Sequence, residues 1–253
     1  MIFDTHAHYD DEAFDSDRDS LLQSMNKEGI ELIINPGCDL KSCLKSISIS
    51  EKYPFVYSAV GVHPEEVDYV TDTDLDEILK LLEHPKCVAV GEIGLDYYWN
   101  KSNKNAQIRM FQLQMEWADE YQKPVIVHDR EAHGDSLNII KQYPNVAGVF
   151  HCYSGSVEMA EELIARGWYL GFDGPITYKN NKKQIEVLNY CPVDRMLIET
   201  DSPYLSPTPM RGRRNDSRNL SYIIDRICEV KSISKEEVEK RTMTNGKCLF
   251  GID

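Results

Sequence analysis

A (β/α)8 barrel is the fold this sequence predicts, and three observations predict it: eight short apolar, β-branched runs, helical spacing between them, and a length of 253 residues. The runs are MIFDTHAH (1–8), ELIINPG (31–37), FVYSAVGVH (55–63), CVAVGEIGLD (87–96), PVIVHD (124–129), VAGVFHCYSG (146–155), WYLGFDG (168–174) and RMLIETDSP (195–203). They are nearly continuous in apolar residues, as strands covered on both faces must be, so the sheet is expected to be parallel. Segments such as DRDSLLQSMNKEG, TDLDEILKLLEH, NAQIRMFQLQMEWADEYQ, REAHGDSLNIIKQY and SVEMAEELIARG repeat their apolar residues at helical spacing. Several start at Asp, Ser or Thr and stop at Gly, the residues that cap helix ends. An open doubly wound sheet is the rival reading, but no GxGxxG follows the first run. After the eighth run comes the polar stretch PYLSPTPMRGRRNDSRN, then two helices at about 218–230 and 234–249. No linker or repeat interrupts the chain, so residues 1–253 are expected to form a single domain.

Composition narrows the class. No apolar run approaches the roughly 18 residues of a membrane span, and the first residues are acidic where a signal peptide is basic and then apolar. A cytoplasmic protein without a membrane partner is the expectation. Seven cysteines at 38, 43, 87, 152, 191, 228 and 248 contain no CxxC pair and are read as reduced thiols. A formal charge of −14 argues against coating nucleic acid by bulk electrostatics, yet it leaves room for a local anion site and suits a cation pocket.

The polar residues that interrupt the apolar runs carry the functional signal. His6 and His8 end the first strand, His63 the third, Glu92 the fourth, His128 the fifth, His151 the sixth and Asp201 the eighth. In a barrel of this kind those C-terminal ends meet on the face where active sites are built. A lone histidine ending a strand is more often a satisfied core residue than a ligand. Five of them with two carboxylates at one end of six strands change that balance, because each polar group buried without a partner costs about 1–3 kcal/mol and a shared metal removes the cost. Imidazole with carboxylate suits zinc, manganese, iron or nickel better than magnesium or calcium. Six donors are too many for one tetrahedral ion and fit two. His84 and His133 fall in helical segments and are read as structural.

The ordered motifs FDTHAH, GVHP, GEIGLDYY, PVIVHDREA, FHCYSGS, IETDSPYL and RGRRN resemble those of the TatD family of metal-dependent deoxyribonucleases, within the amidohydrolase superfamily. The resemblance spans essentially the whole chain. It implies that His6, His8 and Asp201 hold one divalent ion, that His128 and His151 hold a second, and that Glu92 bridges them. It also implies that His63 and Arg130 face the substrate. Met210 and Ser217 depart from the family pattern in the loop after the eighth strand, which bears on substrate preference rather than on metal binding.

The expected reaction is hydrolysis of a phosphodiester by a metal-activated water, with Asp201 and Glu92 as the catalytic carboxylates, in a 3'-5' exonuclease of DNA. Two ions are expected, zinc first, with manganese, magnesium, nickel or iron as alternatives. The expected substrate is single-stranded DNA or a frayed end, and the expected state a monomer. Arg211 and Arg213, with Arg214 and Arg218 beyond them, are read as phosphate ligands, against the alternative of a solvated charged loop. Tyr97, Tyr98 and Trp99 either stack on unpaired bases or pack on the next helix, the latter for at least one of the three. Asp96 is read either as an acceptor behind a ligating histidine or as the cap of the following loop, and Glu199 as an acceptor behind the ligands. Competing readings are an ester or amide hydrolase with the same metals, acting on a lactone, a cyclic amide or an aminoacyl-RNA ester, and a non-catalytic metal-stabilised binding protein.

Overall fold

The computed structural model describes residues 1–253. Eight parallel strands follow one another in chain order through one sheet: β1 (Ile2–Asp4), β2 (Ile30–Pro36), β3 (Val56–Val60), β4 (Cys87–Asp96), β5 (Val125–Arg130), β6 (Gly148–Phe150), β7 (Tyr169–Phe172) and β8 (Met196–Ile198). The helices are α1 (Arg18–Ser24), α2 (Leu40–Lys52), α3 (Asp72–Leu81), α4 (Lys104–Glu120), α5 (His133–Ile140), α6 (Val157–Ala165), α7 (Lys182–Tyr190), α8 (Leu220–Lys231) and α9 (Lys235–Phe250). This is the (β/α)8 order that the sequence predicts, with α8 as the eighth helix of the repeat and α9 as one helix beyond it. Several strands are shorter than their apolar runs, because the polar residues at their ends turn the chain into loops. No helix is long and apolar enough to cross a membrane, and all seven cysteines are free thiols.

The chain divides into two compact units, one of residues 36–151 and one of residues 1–35 with 152–253. The first contains β3 to β6. Ala59 pairs with Ala89, Ile93 with Val127, and Val127 with Phe150, and these residues are fully or almost fully buried. The register between β4 and β5 slips between Val90 and Ile93, which places a bulge at Glu92. Helix α4 covers β4 with Phe111 and Met115 but also buries two glutamines seven residues, two turns, apart. Gln114 accepts from Val62 N–H at 2.6 Å and donates to its carbonyl at 3.1 Å. Gln107 does the same for Asp96 at 2.9 and 3.0 Å. Each amide completes a strand end whose backbone has left the ladder, which is why a polar side chain belongs on that apolar face.

The second unit contains β7, β8, β1 and β2, with Leu170 opposite Met196 and Asp4 opposite Ile33. Beyond Asp4 the chain continues extended, with Thr5 N–H to Ile198 O, Asp201 N–H to His6 O, Ala7 N–H to Ile34 O and His8 N–H to Ser202 O. Helix α9 packs on β1 through Gly246, where a Cβ would lie 2.6 Å from the Phe3 ring. That contact requires glycine.

Candidate metal centre

Each unit carries its own set of donor atoms. In the second, the extended segment after β1 turns His6 and His8 to one side, and their Nε2 atoms lie 3.1 Å apart. Asp201, just past β8 with φ +54°, brings Oδ1 to 3.6 Å from His6 Nε2 and 3.4 Å from His8 Nε2. Ligands about 2.0–2.1 Å from a tetrahedral zinc stand roughly 3.3 Å from one another, and these three separations bracket that value. Two imidazoles and a carboxylate, all largely buried, form a donor set that fits a divalent ion.

Behind this set stands Asp4, a residue that the sequence reading left inside the strand. Its carboxylate is fully buried and accepts from Thr200 N–H at 3.0 Å, Thr200 Oγ1 at 2.7 Å and Ser217 Oγ at 2.6 Å. Burial raises its pKa to about 6 despite those donors. Ser217 also shares a hydrogen bond with the Tyr9 hydroxyl, 2.7 Å away. The Ser217 hydroxyl is thus engaged beneath the His6 and His8 segment. Glu199 is buried too and accepts from Cys152 N–H at 2.5 Å.

In the first unit Glu92, His128 and His151 converge. Glu92 Oε1 lies 2.9 Å from His128 Nδ1 and 2.7 Å from His151 Nε2, and those two nitrogens are 3.3 Å apart. The other nitrogen of His128, Nε2, is 3.0 Å from Asp96 Oδ2. Burial disfavours a charge on His128, but the Asp96 and Glu92 carboxylates outweigh it and push the imidazole up to about 10. Asp96 itself is held below the usual carboxylate range: burial opposes this, but His128 and the N–H groups of Trp99 and Tyr98 prevail. Its Oδ1 takes those N–H groups at 2.9 and 2.8 Å. Asp96 therefore both holds His128 and caps the following loop, two roles that the sequence left as alternatives. Across from it, Gly94 has φ +140°, and a Cβ there would lie 2.0 Å from His128 O. Only glycine permits that close approach.

His63 belongs to the same neighbourhood. Its Nδ1 accepts from Glu65 N–H at 3.2 Å, which leaves the proton on Nε2, 3.5 Å from Glu92 Oε1. Burial and the adjacent His128 favour its neutral form, and with Glu92 and His128 it makes a further group of donors close enough to share an ion. His84, in the turn after α3 rather than in a helix, lies 3.4 Å from Glu51, and His133, at the start of α5, lies 2.7 Å from Asp129.

The remaining substrate candidates separate clearly. Tyr97 is buried and donates its hydroxyl to Asp135 Oδ2 at 2.8 Å, so it is the packing member of the aromatic triplet. Tyr98 and Trp99 are exposed, and Arg130 lies over them. Arg214 pairs with Asp17 at 2.7 Å over the Phe14 ring, and Arg218 pairs with Asp216 at 2.8 Å, so both are tied into the fold. Arg211, stacked 4.2 Å from the Tyr178 ring centroid, and Arg213 are exposed and carry no ion pair.

The family description "TatD related DNase" matches residues 3–251. The chain belongs to the TatD family of metal-dependent hydrolases. A Bacillus subtilis relative, the uncharacterized metal-dependent hydrolase YabD, is 41% identical over 255 residues, covering 100% of both chains. A Citrobacter koseri relative, named 3'-5' ssDNA/RNA exonuclease TatD, is 31% identical over 258 residues, covering 99% of each. The solved structure of the TatD homologue YJJV from Escherichia coli k12 superposes with a TM-score of 0.94 at 29% identity, over 100% of this chain and 98% of that one. That superposition agrees with the barrel.

Proposed function

We propose that this TatD-family protein is a 3'-5' exonuclease that hydrolyses phosphodiester bonds at single-stranded or frayed DNA ends with two divalent ions, zinc first among the candidates. His6, His8 and Asp201 would hold one ion, and Glu92, His128 and His151 the other. The observation that carries the reading is the convergence of three donor atoms in each set, at separations of 3.1–3.6 Å and 2.7–3.3 Å. The Citrobacter koseri relative's name supports the choice of substrate.

When bound, the ions supply an acidified water and polarise a phosphoryl oxygen. The protein's own residues do the rest. Asp201 orients the water and takes its proton. His63 Nε2–H donates to charge developing on the phosphoryl group. Arg211, Arg213 and Arg130, none of which carries an ion pair, bind the flanking phosphates through their guanidinium forks.

The test is metal analysis of the protein together with turnover of end-labelled single-stranded DNA, beside Glu92→Ala. Stepwise, metal-dependent release of nucleotides, lost in the variant, is expected. Bound metal without any release would overturn the nuclease reading in favour of another ester or an amide.

A further inference from the structure

The loop after β4 leaves two consecutive aromatic rings in solvent. Tyr98 is 50% exposed and Trp99 63%, whereas the other two tryptophans, Trp117 and Trp168, are 6% and 2% exposed. The two exposed rings stand edge to face with centroids 4.8 Å apart and an interplanar angle of 85°. Over them lies the Arg130 guanidinium, 4.0 Å from the Tyr98 centroid and 5.4 Å from that of Trp99. Arg130 makes no ion pair, so its donors are available to an anion while its plane extends the aromatic surface.

The position of this surface is fixed by the ligand set. Asp96 and Arg130 are register partners at the ends of β4 and β5, and Tyr97 N–H donates to Arg130 O at 2.9 Å. Tyr98 and Trp99 both hang by their N–H groups from Asp96 Oδ1, while Asp96 Oδ2 holds His128. One carboxylate thus sets both the orientation of a ligand and the placement of the rings. Gln107 fixes the Asp96 backbone on both sides, so the loop starts from a rigid anchor.

We propose that Tyr98, Trp99 and Arg130 form a stacking platform for an unpaired nucleobase next to the bond being cut. The proposal rests on the phosphodiesterase reading and deepens it by specifying how the substrate strand is held. An aromatic surface with a cation over it suits a nucleotide, which offers a π face and a phosphate within a few ångströms of each other. Stacking is tolerant of sequence because every base has a π face. Bases within a duplex are already stacked on their neighbours, so the platform selects strands that are single or frayed.

The experiment compares an oligomer of eight deoxythymidylates with an abasic oligomer of equal charge, both titrated into the metal-free protein, where binding proceeds without cleavage. Because Trp99 is the exposed tryptophan, its emission reports contact with a base. The thymidylate oligomer is expected to quench it, and the abasic one to leave it unchanged. Trp99→Leu should weaken thymidylate binding about 5- to 150-fold and leave the abasic oligomer unaffected, while Trp99→Phe restores most of the difference. In the metal-loaded protein the loss should fall on KM rather than kcat. Equal quenching by both oligomers, or thymidylate affinity and KM unmoved in Trp99→Leu, would overturn the platform, including in favour of a protein docked on the same rings. Base-dependent quenching with no metal-dependent cleavage would instead uphold the platform and overturn the nuclease reading.

Discussion

Replacing Asp96 by asparagine keeps the side chain's shape but removes its negative charge and turns one acceptor into a donor. Oδ1 keeps the Tyr98 and Trp99 N–H groups, two donors that hold the carbonyl end of the amide in place. The amide nitrogen then faces His128 Nε2, which in the parent donates to Oδ2 at 3.0 Å. An amide N–H can only be accepted by Nε2, which drives the imidazole proton to Nδ1, the nitrogen beside Glu92 and His151. The ring is then in the wrong tautomer for an ion. Loss of such a support costs 10- to 100-fold in metal affinity, or about 1.4–2.7 kcal/mol. Chelator competition with zinc should therefore show the Glu92 set weakened by that factor and the His6 set unchanged. The metal-free protein provides a second readout. His128 is held at about 10 by Asp96 and Glu92 together against its burial, so its NMR titration should move down in the variant. A folded pKa above the unfolded 6.5 gives stability that is complete below about pH 6.5 and lost as pH rises through about 10. The variant should therefore lose less stability than the parent over that window. Unchanged zinc affinity with an unchanged His128 titration would refute the reasoning and reduce Asp96 to a loop cap.

Gly94→Ala puts a Cβ 2.0 Å from His128 O at a φ of +140°, so β5 must move; a cost above about 2 kcal/mol and loss of the second ion are expected, read by thermal melting and metal analysis. Asp173 is fully buried, and burial raises its pKa to about 8 despite the nearby Cys152 thiol. Its folded value lies above the unfolded one, so the stability linked to its neutral form is complete below about pH 4 and lost as pH rises through 8; Asp173→Asn should stabilise the metal-free protein progressively over that range, by an amount on the order of 5 kcal/mol at its end, and a difference independent of pH in paired melts would disprove the assignment. Arg211→Ala with Arg213→Ala should raise KM for oligonucleotides and flatten its salt dependence without lowering Tm, whereas Arg214→Ala should lower Tm through loss of the Asp17 pair and the Phe14 contact.

What could be read from sequence depended on contrast within a short window. A histidine in an apolar run is conspicuous, so His6, His8, His128 and His151 stood out, and the strand ends placed them. Asp4 lies in the same run yet was passed over, because its partners Thr200 and Ser217 are 196 and 213 residues away. Gln107 and Gln114 resemble any other polar residues on a half-exposed helix, and only the fold shows that the backbone at Asp96 and Val62 needs them. The arginine run carried no local sign of its division. Arg214 is committed by Asp17, 197 residues earlier, while Arg211 and Arg213 have no such partner. The aromatic triplet was ambiguous for the same reason, until Asp135 claimed Tyr97.

The two units solve one physical problem in the same way. Ligand donors that converge to about 3 Å repel one another and are costly to bury without an ion, so something beneath them must hold the backbone and rings in place. In each unit that support is a buried aspartate at a strand end, Asp4 or Asp96. Each carboxylate offers about four acceptor sites, enough to take several donors at once. Asp4 gathers Thr200 and Ser217 beneath the segment bearing His6 and His8, with Thr200 adjacent to Asp201. Asp96 gathers Tyr98, Trp99 and His128. Neither an amide nor a hydroxyl accepts so many donors, and a longer glutamate would have to fold back to reach them. The converging histidines point to the chemistry, and the acceptor-only aspartates behind them hold the backbone and rings that bring them together.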